Sequence, residues 1–578
     1  MRNLNKYLWL VIAMLSITAC DDDYLERFPL DTLTNETYWN SDNDLKNYAA
    51  GLYGVFGSGQ NLWDDNLSDN LAPETFNRTA AGLHTASTGQ WSYSFLRSCN
   101  FFLENFDKST NVTQAAKKQY KGEILLMRAY WTASRVRTYG DISYSTKVLT
   151  QRDEDVLFGP RMPRKEVMTQ VLADLKEAAE LIPADESESG RLTKNAALGF
   201  MARICLHEGT YRKYHGLGDA NEFLQVAATA AKEIMDSGKN ALYSTGDPAV
   251  DYRDMFTQLD LNGNPEAIFY AAYIPDVRGH DFIRYIVEST ANGATKDLIN
   301  DYLCTDGKPI DLSSLYQGDD DFEGEFEDRD PRMAQTIVPK SENFFDSAFG
   351  GTTPTTEPRL KGLAFGNSSA TTTGYHVHKY YSEAETFKYA KAETDLPILR
   401  FAEVLLVYAE AMAELGQADQ TVIDESINLL RARVGMIPMV IADLERDPNS
   451  DMIAGAGYGV DVSVLIEEIR RERRIELAGE GFRYDDMMRW KAGKFFEKRV
   501  LGVKWDAVKG FAEPSGEALY DASDDAAVLL DDDGYVWVYK NALPGGRIFE
   551  DPKHYLRAVP REELIMNPAL EPQNPGWE

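Results

Sequence analysis

Val462-Ser463-Val464-Leu465-Ile466-Glu467-Glu468-Ile469-Arg470-Arg471-Glu472-Arg473-Arg474-Ile475-Glu476-Leu477-Ala478-Gly479-Glu480 is the stretch on which the fold turns. Val462, Leu465, Ile466 and Ile469 recur at about 100° per residue, the period of an amphipathic helix, and predict one over 462–479. Continued, the same face meets Arg473, Glu476 and Glu480, so charged groups run into the stripe that should face the core. Charges so placed must be paired to be tolerated. They read either as catalytic carboxylates or as a buried ion-pair network with Arg483 or Arg489 nearby, and the network is the preferred reading.

Outward from this helix the pattern is helical and paired. A helix over 42–56, opened by Ser41-Asp42, is followed by helices near 91–107 and 114–138, 165–182 and 193–213, and 220–237. Pairing resumes at 398–415 and 421–434. Helix pairs recurring at about 34 to 50 residues imply a mainly α, tetratricopeptide-like solenoid of about four units. Ala402, Ala409 and Ala413 share a face with Leu405, Leu406 and Met412, as close-packed helices require. Between 241 and 397, and again over 495–552, glycine, proline and acidic residues surround short apolar runs such as Ala267-Ile268-Phe269-Tyr270. Asp531-Asp532-Asp533-Gly534 before Tyr535-Val536-Trp537 reads as a turn feeding a strand. Such long variable stretches should hold short β-strands and function. The expected organisation is therefore a leader over 1–19, an N-terminal helical region over 20–240, a variable region over 241–397 and a C-terminal region over 398–578.

Arg2 and Lys6 precede an apolar run from Leu8 to Ile17, shorter than the roughly twenty residues that span a bilayer but suited to a signal-peptide core. Ile17-Thr18-Ala19-Cys20 then resembles a bacterial lipobox, with isoleucine where leucine is commoner, and marks Cys20 for acylation. Asp21-Asp22-Asp23 resembles the surface-export signal of some lipoproteins and reads otherwise as a solvated leader. A net charge of −32 argues against nucleic acid as partner, since a polyanion would be repelled. Cys99, Cys205 and Cys304 are an odd, scattered set, with neither disulfide nor zinc spacing; Cys99 and Cys205 lie in helical patterns and read as small buried residues.

A search for chemistry finds little. His376 and His378 share a face if on a strand, yet no third ligand is suggested by spacing, so no metal or other cofactor is expected. Neither H-E-x-x-H, G-x-S-x-G nor a phosphate loop occurs, and Gly455-Ala456-Gly457-Tyr458-Gly459 is a connector without a preceding strand.

The charged helix, followed by Glu480-Gly481-Phe482-Arg483-Tyr484-Asp485-Asp486 and Arg489-Trp490, resembles the signature helix of the RagB/SusD family. Leu396-Pro397-Ile398-Leu399-Arg400-Phe401-Ala402-Glu403 through Ala411, Asn428 to Gly435, Gln573-Asn574-Pro575-Gly576-Trp577, Arg128-Ala129-Tyr130, Tyr139-Gly140-Asp141 and Arg191 to Tyr214 are similar to the family's other motifs. The resemblance implies a four-unit tetratricopeptide scaffold and a non-enzymatic, outer-membrane lipoprotein facing the cell exterior. Such a protein captures oligosaccharide or polysaccharide, sometimes peptide, and lids a SusC-like TonB-dependent barrel. Peptide capture and a surface hydrolase are the competing functions.

Sugar rings need aromatic platforms with hydrogen-bonding groups at the rim. Two stretches offer them. One, over 60–78, supplies Trp63, Asn66, Asp69, Phe76 and Arg78; the other, over 273–292, supplies Tyr273, Arg278, His280, Tyr285 and Asn292. For each aromatic, core packing is the reading preferred over ligand contact; Trp63, in a polar stretch whose apolar spacing supports neither helix nor strand, gains little from a core and is the candidate for stacking.

The anchor can be tested directly. Cys20→Ala is expected to abolish acylation and leave the protein in the soluble fraction, because a lipid-free chain without a spanning segment has nothing to hold a bilayer. A variant that remains in washed membranes lacking the barrel partner would refute the lipoprotein reading.

Overall fold

The computed structural model describes residues 38–578 apart from 87–90, 109, 186–189, 289–291, 340–343, 346–353, 356–369, 387, 389, 451–460, 513–517 and 519. Cys20, its acidic neighbours and the Gly455–Gly459 connector therefore lie outside the described residues. Among those described, no helix is long and apolar enough to cross a membrane.

The helical frame comprises α1 (Asp42–Ala50), α2 (Ser94–Asn105), α3 (Gln114–Tyr139), α4 (Arg164–Leu181), α5 (Lys194–His215) and α6 (Ala220–Asp236). Each of α2 to α6 packs on the next in a solenoid-like series. Threonine caps open two of them: Thr113 accepts from the N–H of Ala116, and Thr193 from that of Ala196. Close approach depends on small residues. A Cβ at Gly209 in α5 would stand 2.8 Å from the Leu224 side chain of α6. Cys99 and Cys205 are fully buried among these helices, as their positions implied.

The chain leaves the stack after α6 and returns with α8 (Phe401–Glu414), which packs on α6 and so extends the series. α8 is buried on nearly all sides, including Ala402, Ala409, Leu405 and Leu406. The fold is thus mainly helical and tetratricopeptide-like.

Three boundaries differ from the periodicity. The first helix ends at Ala50, where Gly51, Gly54 and Gly57 withdraw helical support and a short 3-10 turn, Tyr53–Phe56, follows. Residues 398–400 do not open α8. They finish strand β4 (Leu396–Arg400), which pairs antiparallel with β2 (Ala267–Ala271). Pro397 and Ile398 suit an extended edge, and the strand partner lies over a hundred residues upstream, beyond the reach of local pattern. The expected helix over 421–434 is broken at Ser426, whose hydroxyl donates to Val422 O, so that only Ile427–Arg433 (α9) continues. The variable segments carry short strands as expected: β1 (Leu71–Ala72) pairs with β3 (Gly293–Ala294), and β5 (Leu501–Lys504) with β6 (Tyr535–Trp537), which follows the turn at Gly534.

The charged helix, α10 (Val464–Glu476), is the hub. It is capped by Ser463, which accepts from the N–H of Ile466. Its burial is not the single stripe read from periodicity. Leu465 and Ile466 are only half-buried, whereas Glu467, Glu468, Arg470, Glu472, Arg473, Arg474 and Glu476 are buried around the helix. Glu476, fully enclosed, meets Arg400 Nη1 and Arg433 Nη2 at 2.7 Å and Arg332 Nη1 at 3.0 Å. These arginines, rather than Arg483 or Arg489, are its partners. Arg489 joins one step away, on Glu410 at 2.5 Å and on Asp486, which also takes Arg473 at 2.8 Å. Arg400 further engages Glu266 and Glu480, and Lys379 reaches Glu480 at 2.6 Å. His376 and His378 are also interior residues. His378 Nε2 bonds Ala334 O at 2.7 Å, and its other nitrogen faces Arg253 Nη1.

Removing one member of such a network leaves unpaired charge in the interior. Glu476→Ala is expected to lower stability by about 3–5 kcal/mol in denaturant melts while leaving ligand affinity of the folded fraction unchanged. Loss of binding at an unchanged melting temperature would mark Glu476 as a functional carboxylate.

A second expectation concerns acid. The surrounding arginines hold the carboxyls of Glu476 and Glu410 below their usual range despite burial, Glu410 at about 2. A depressed folded pKa gives stability that is complete above the unfolded value, about 4.3, and lost as pH falls through the folded one. Melting temperature should therefore fall below about pH 4.5, and the fall should be shallower in Glu476→Gln.

Candidate functional site

The two stretches singled out in sequence, 60–78 and 273–292, come together in part. Segment 58–68 packs against segment 273–285, and the β1–β3 pairing of Leu71 with Ala294 closes the arrangement at one end. Asn61–Leu67 forms a 3-10 turn, so the polar stretch around Trp63 is helical after all, of the tight kind that brief apolar spacing does not reveal. Its indole is half-buried and meets the ring of Phe282 edge-on at 5.7 Å. Trp63 thus reaches the core that its local sequence seemed to deny it, while keeping part of its surface open.

Phe282 opens α7 (Phe282–Glu288), and Tyr285 follows one turn later, 39% exposed. Arg278 is exposed and lays its guanidinium over the Tyr273 ring, 4.6 Å from the centroid. The Ile274–Arg278 bridge turns the chain tightly here and leaves Ile274 and Val277 projecting, 53% and 79% exposed. Trp63, Arg278 and Tyr285 are therefore the accessible members of the expected set on this side.

Other members turn inward. Tyr273 is buried; its hydroxyl donates to Ser58 O at 2.9 Å and accepts from Gln60 Nε2 at 3.2 Å. His280 is buried as well. Its Nδ1 accepts the N–H of Phe282, Nε2 lies 3.0 Å from Thr394 O, and burial lowers its pKa, so the ring is neutral and structural. Asp69 is the clearest correction. Only 2% exposed, it forms two 2.8 Å bonds to the Arg483 guanidinium and lies 3.3 Å from Arg474, which places it in the ion-pair network and out of reach of a ligand.

Phe76 and Arg78 belong elsewhere. Phe76 meets Tyr539 edge-on at 6.1 Å, and the exposed Arg78 donates to Leu83 O at 2.8 Å. Asn66 and Asn292 are both half-buried, and Asn66 Oδ1 is enclosed without a hydrogen-bond partner. Sequence reading missed Gln60 and Phe282, which brace Tyr273 and Trp63. The i, i+3 spacing of Phe282 and Tyr285 was the one available signal, and Gln60 had none.

Chemically the patch offers stacking faces and a cation. Among the described residues, no group of three His, Cys, Asp or Glu is placed to hold a metal ion.

Comparison with known proteins adds the family. Residues 265–577 match the SusD family, and residues 23–206 match a second family described as starch-binding and associating with the outer membrane. A SusD-like protein of Bacteroides ovatus is 24% identical over 99% of this chain and 98% of its own length. Among known structures, a SusD-like carbohydrate-binding protein of Bacteroides fragilis aligns with a TM-score of 0.69 at 23% identity, covering 93% of this chain and all of its own. Another, in complex with a xylogluco-oligosaccharide, aligns at 0.58 and 18%, covering 91% and 98%. The SusD family is one of non-catalytic binding proteins. With a family match over more than half its length, and the charged helix, the Arg400 strand and the terminal Asn574-Pro575-Gly576-Trp577 all inside it, this chain belongs to the SusD/RagB family.

Proposed function

We propose that this protein is a lipid-anchored outer-membrane component, exposed at the cell surface, that binds oligosaccharide or polysaccharide and delivers it to a SusC-like TonB-dependent transporter. The observation that carries the reading is Trp63, half-buried and backed by Phe282, the first residue of the helix that presents Tyr285, with Arg278 exposed on the turn that precedes that helix. An indole braced from behind and open in front costs little entropy to present to a sugar face. Arg278 supplies donors for ring hydroxyls, with Asn66 and Asn292 as further amide groups on the two segments. Support also comes from structural relatives described as carbohydrate-binding or bound to xylogluco-oligosaccharide. Anchoring rests on Cys20 and the lipobox before it. Phe76 lies apart from these residues, against Tyr539.

A glycan array followed by calorimetry tests this. Truncating a central stacked aromatic costs about 2 kcal/mol, roughly thirtyfold in affinity. Trp63→Ala is expected to show that loss, with a stability cost below the about 3–5 kcal/mol of a fully buried tryptophan because the indole is only half-buried. Tyr285→Ala should weaken binding with almost no change in melting temperature. If both variants retained full affinity for the glycan found on the array, the patch would be packing and the site would lie elsewhere.

A further inference from the structure

The turn that carries Trp63 rests on the end of the charged helix through contacts that leave little slack. Asp65, two residues after Trp63, is completely buried. Its Oδ2 accepts the N–H of Gly479 at 2.7 Å and Asn70 Nδ2 at 3.2 Å, while its Oδ1 is enclosed without a partner. Below it, Gly479 and Gly481 adopt positive φ of 76° and 79°. A Cβ at Gly479 would come 3.0 Å from Leu62, and one at Gly481 would meet Asp64 Cβ at 3.0 Å and Asn61 O at 3.1 Å. The seat itself is held from beneath. Lys379 Nζ donates to Ala478 O at 2.8 Å and Tyr380 Oη to Gly479 O at 3.1 Å.

We propose that Asp65 is the positioning residue of the ligand platform: its carboxyl pins the Asn61–Leu67 turn to Gly479 and so sets where the Trp63 indole stands, and the hold slackens when the carboxyl ionises. The proposal rests on the reading of Trp63 as a stacking residue. The physical case is one of satisfaction. A buried neutral carboxyl tolerates one unpartnered oxygen far better than a carboxylate does, because an unpaired buried charge costs more than an unpaired dipole. Ionisation therefore demands a new donor or water at Oδ1. Oδ1 is enclosed by its surroundings, so neither can reach it unless the turn lifts from its seat.

The groups facing Asp65 set where this happens. Burial raises its pKa to about 7, opposed by the Asn70 and Gly479 hydrogen bonds and by Lys379, and reinforced by Asp64 on the same turn. Tyr380 faces it from the Lys379 segment, and burial and Glu480 keep that phenol un-ionised. With a folded pKa above the unfolded carboxylate value, the pinned state is favoured on the acid side and loses its advantage as pH rises through neutrality.

The full chain labelled with 5-fluorotryptophan reads this without any ligand, so the test stands apart from the glycan reading. The Trp63 resonance, assigned by its absence in Trp63→Phe, should shift between pH 5.5 and 8.5 with a single midpoint near neutrality. In Asp65→Asn, a neutral isostere, it should stay at the wild-type acid position throughout. Gly479→Ala, which pushes the turn off its seat from the other side, should hold the resonance away from that position at every pH. A wild-type Trp63 signal that does not titrate, or one that still titrates in Asp65→Asn, would overturn the proposal.

Discussion

Glu476 sits fully enclosed among Arg332, Arg400 and Arg433, and this contact joins parts of the chain that are far apart in sequence. Arg332 comes from the variable region, Arg400 from the end of the strand that meets β2, and Arg433 from the last helix pair. Around it Glu266, Asp330, Glu472 and Glu480 complete the pairing. A network of this kind is a weak source of net stability, since desolvation offsets most of the Coulombic gain. What it supplies is register. Each guanidinium finds satisfied geometry only when its segment stands in one place, so an irregular region of some 150 residues is docked on the helical stack in a defined way.

The same network reaches the segment that carries Trp63. Arg474 and Arg483 end on Asp69, eight or fewer residues from the Trp63 turn in sequence, and Glu480 with Lys379 fixes the peptide on which that turn rests. Scaffold and platform are thus one construction. The loop bearing Trp63 is short, polar and irregular, yet it is held by charges anchored in and just after the charged helix. This is how an irregular segment keeps an aromatic ring at a fixed height.

Much of the frame was legible before any coordinates. The cap at Ser41, alanines on one face of α8, and the turn at Asp531–Gly534 are local signals, and local interactions satisfy them. The site was legible only in outline. Two stretches rich in aromatics and amides were recognisable, and the fold brings them together in part. Their individual members sorted differently because burial is decided by distant partners. Tyr273 is turned inward by Ser58 and Gln60, more than two hundred residues away, and His280 by Thr394.

The amino-acid sequence by itself determined that the chain is a helical-pair solenoid, that charges enter the core of one helix, and that aromatic loops lie outside the repeats. Helical period, capping and small-residue spacing all act within a few turns, and those turns are contiguous in sequence. Tertiary structure alone decided which charge meets which. Asp69, read as a surface ligand-binder, became an interior partner of Arg483 across 414 residues, because a carboxylate in a polar loop carries no local mark of the guanidinium that will cover it. It likewise decided that Leu396–Arg400 is a strand and that Trp63 has Phe282 behind it. Those outcomes depend on contacts between segments whose relative placement no periodicity encodes.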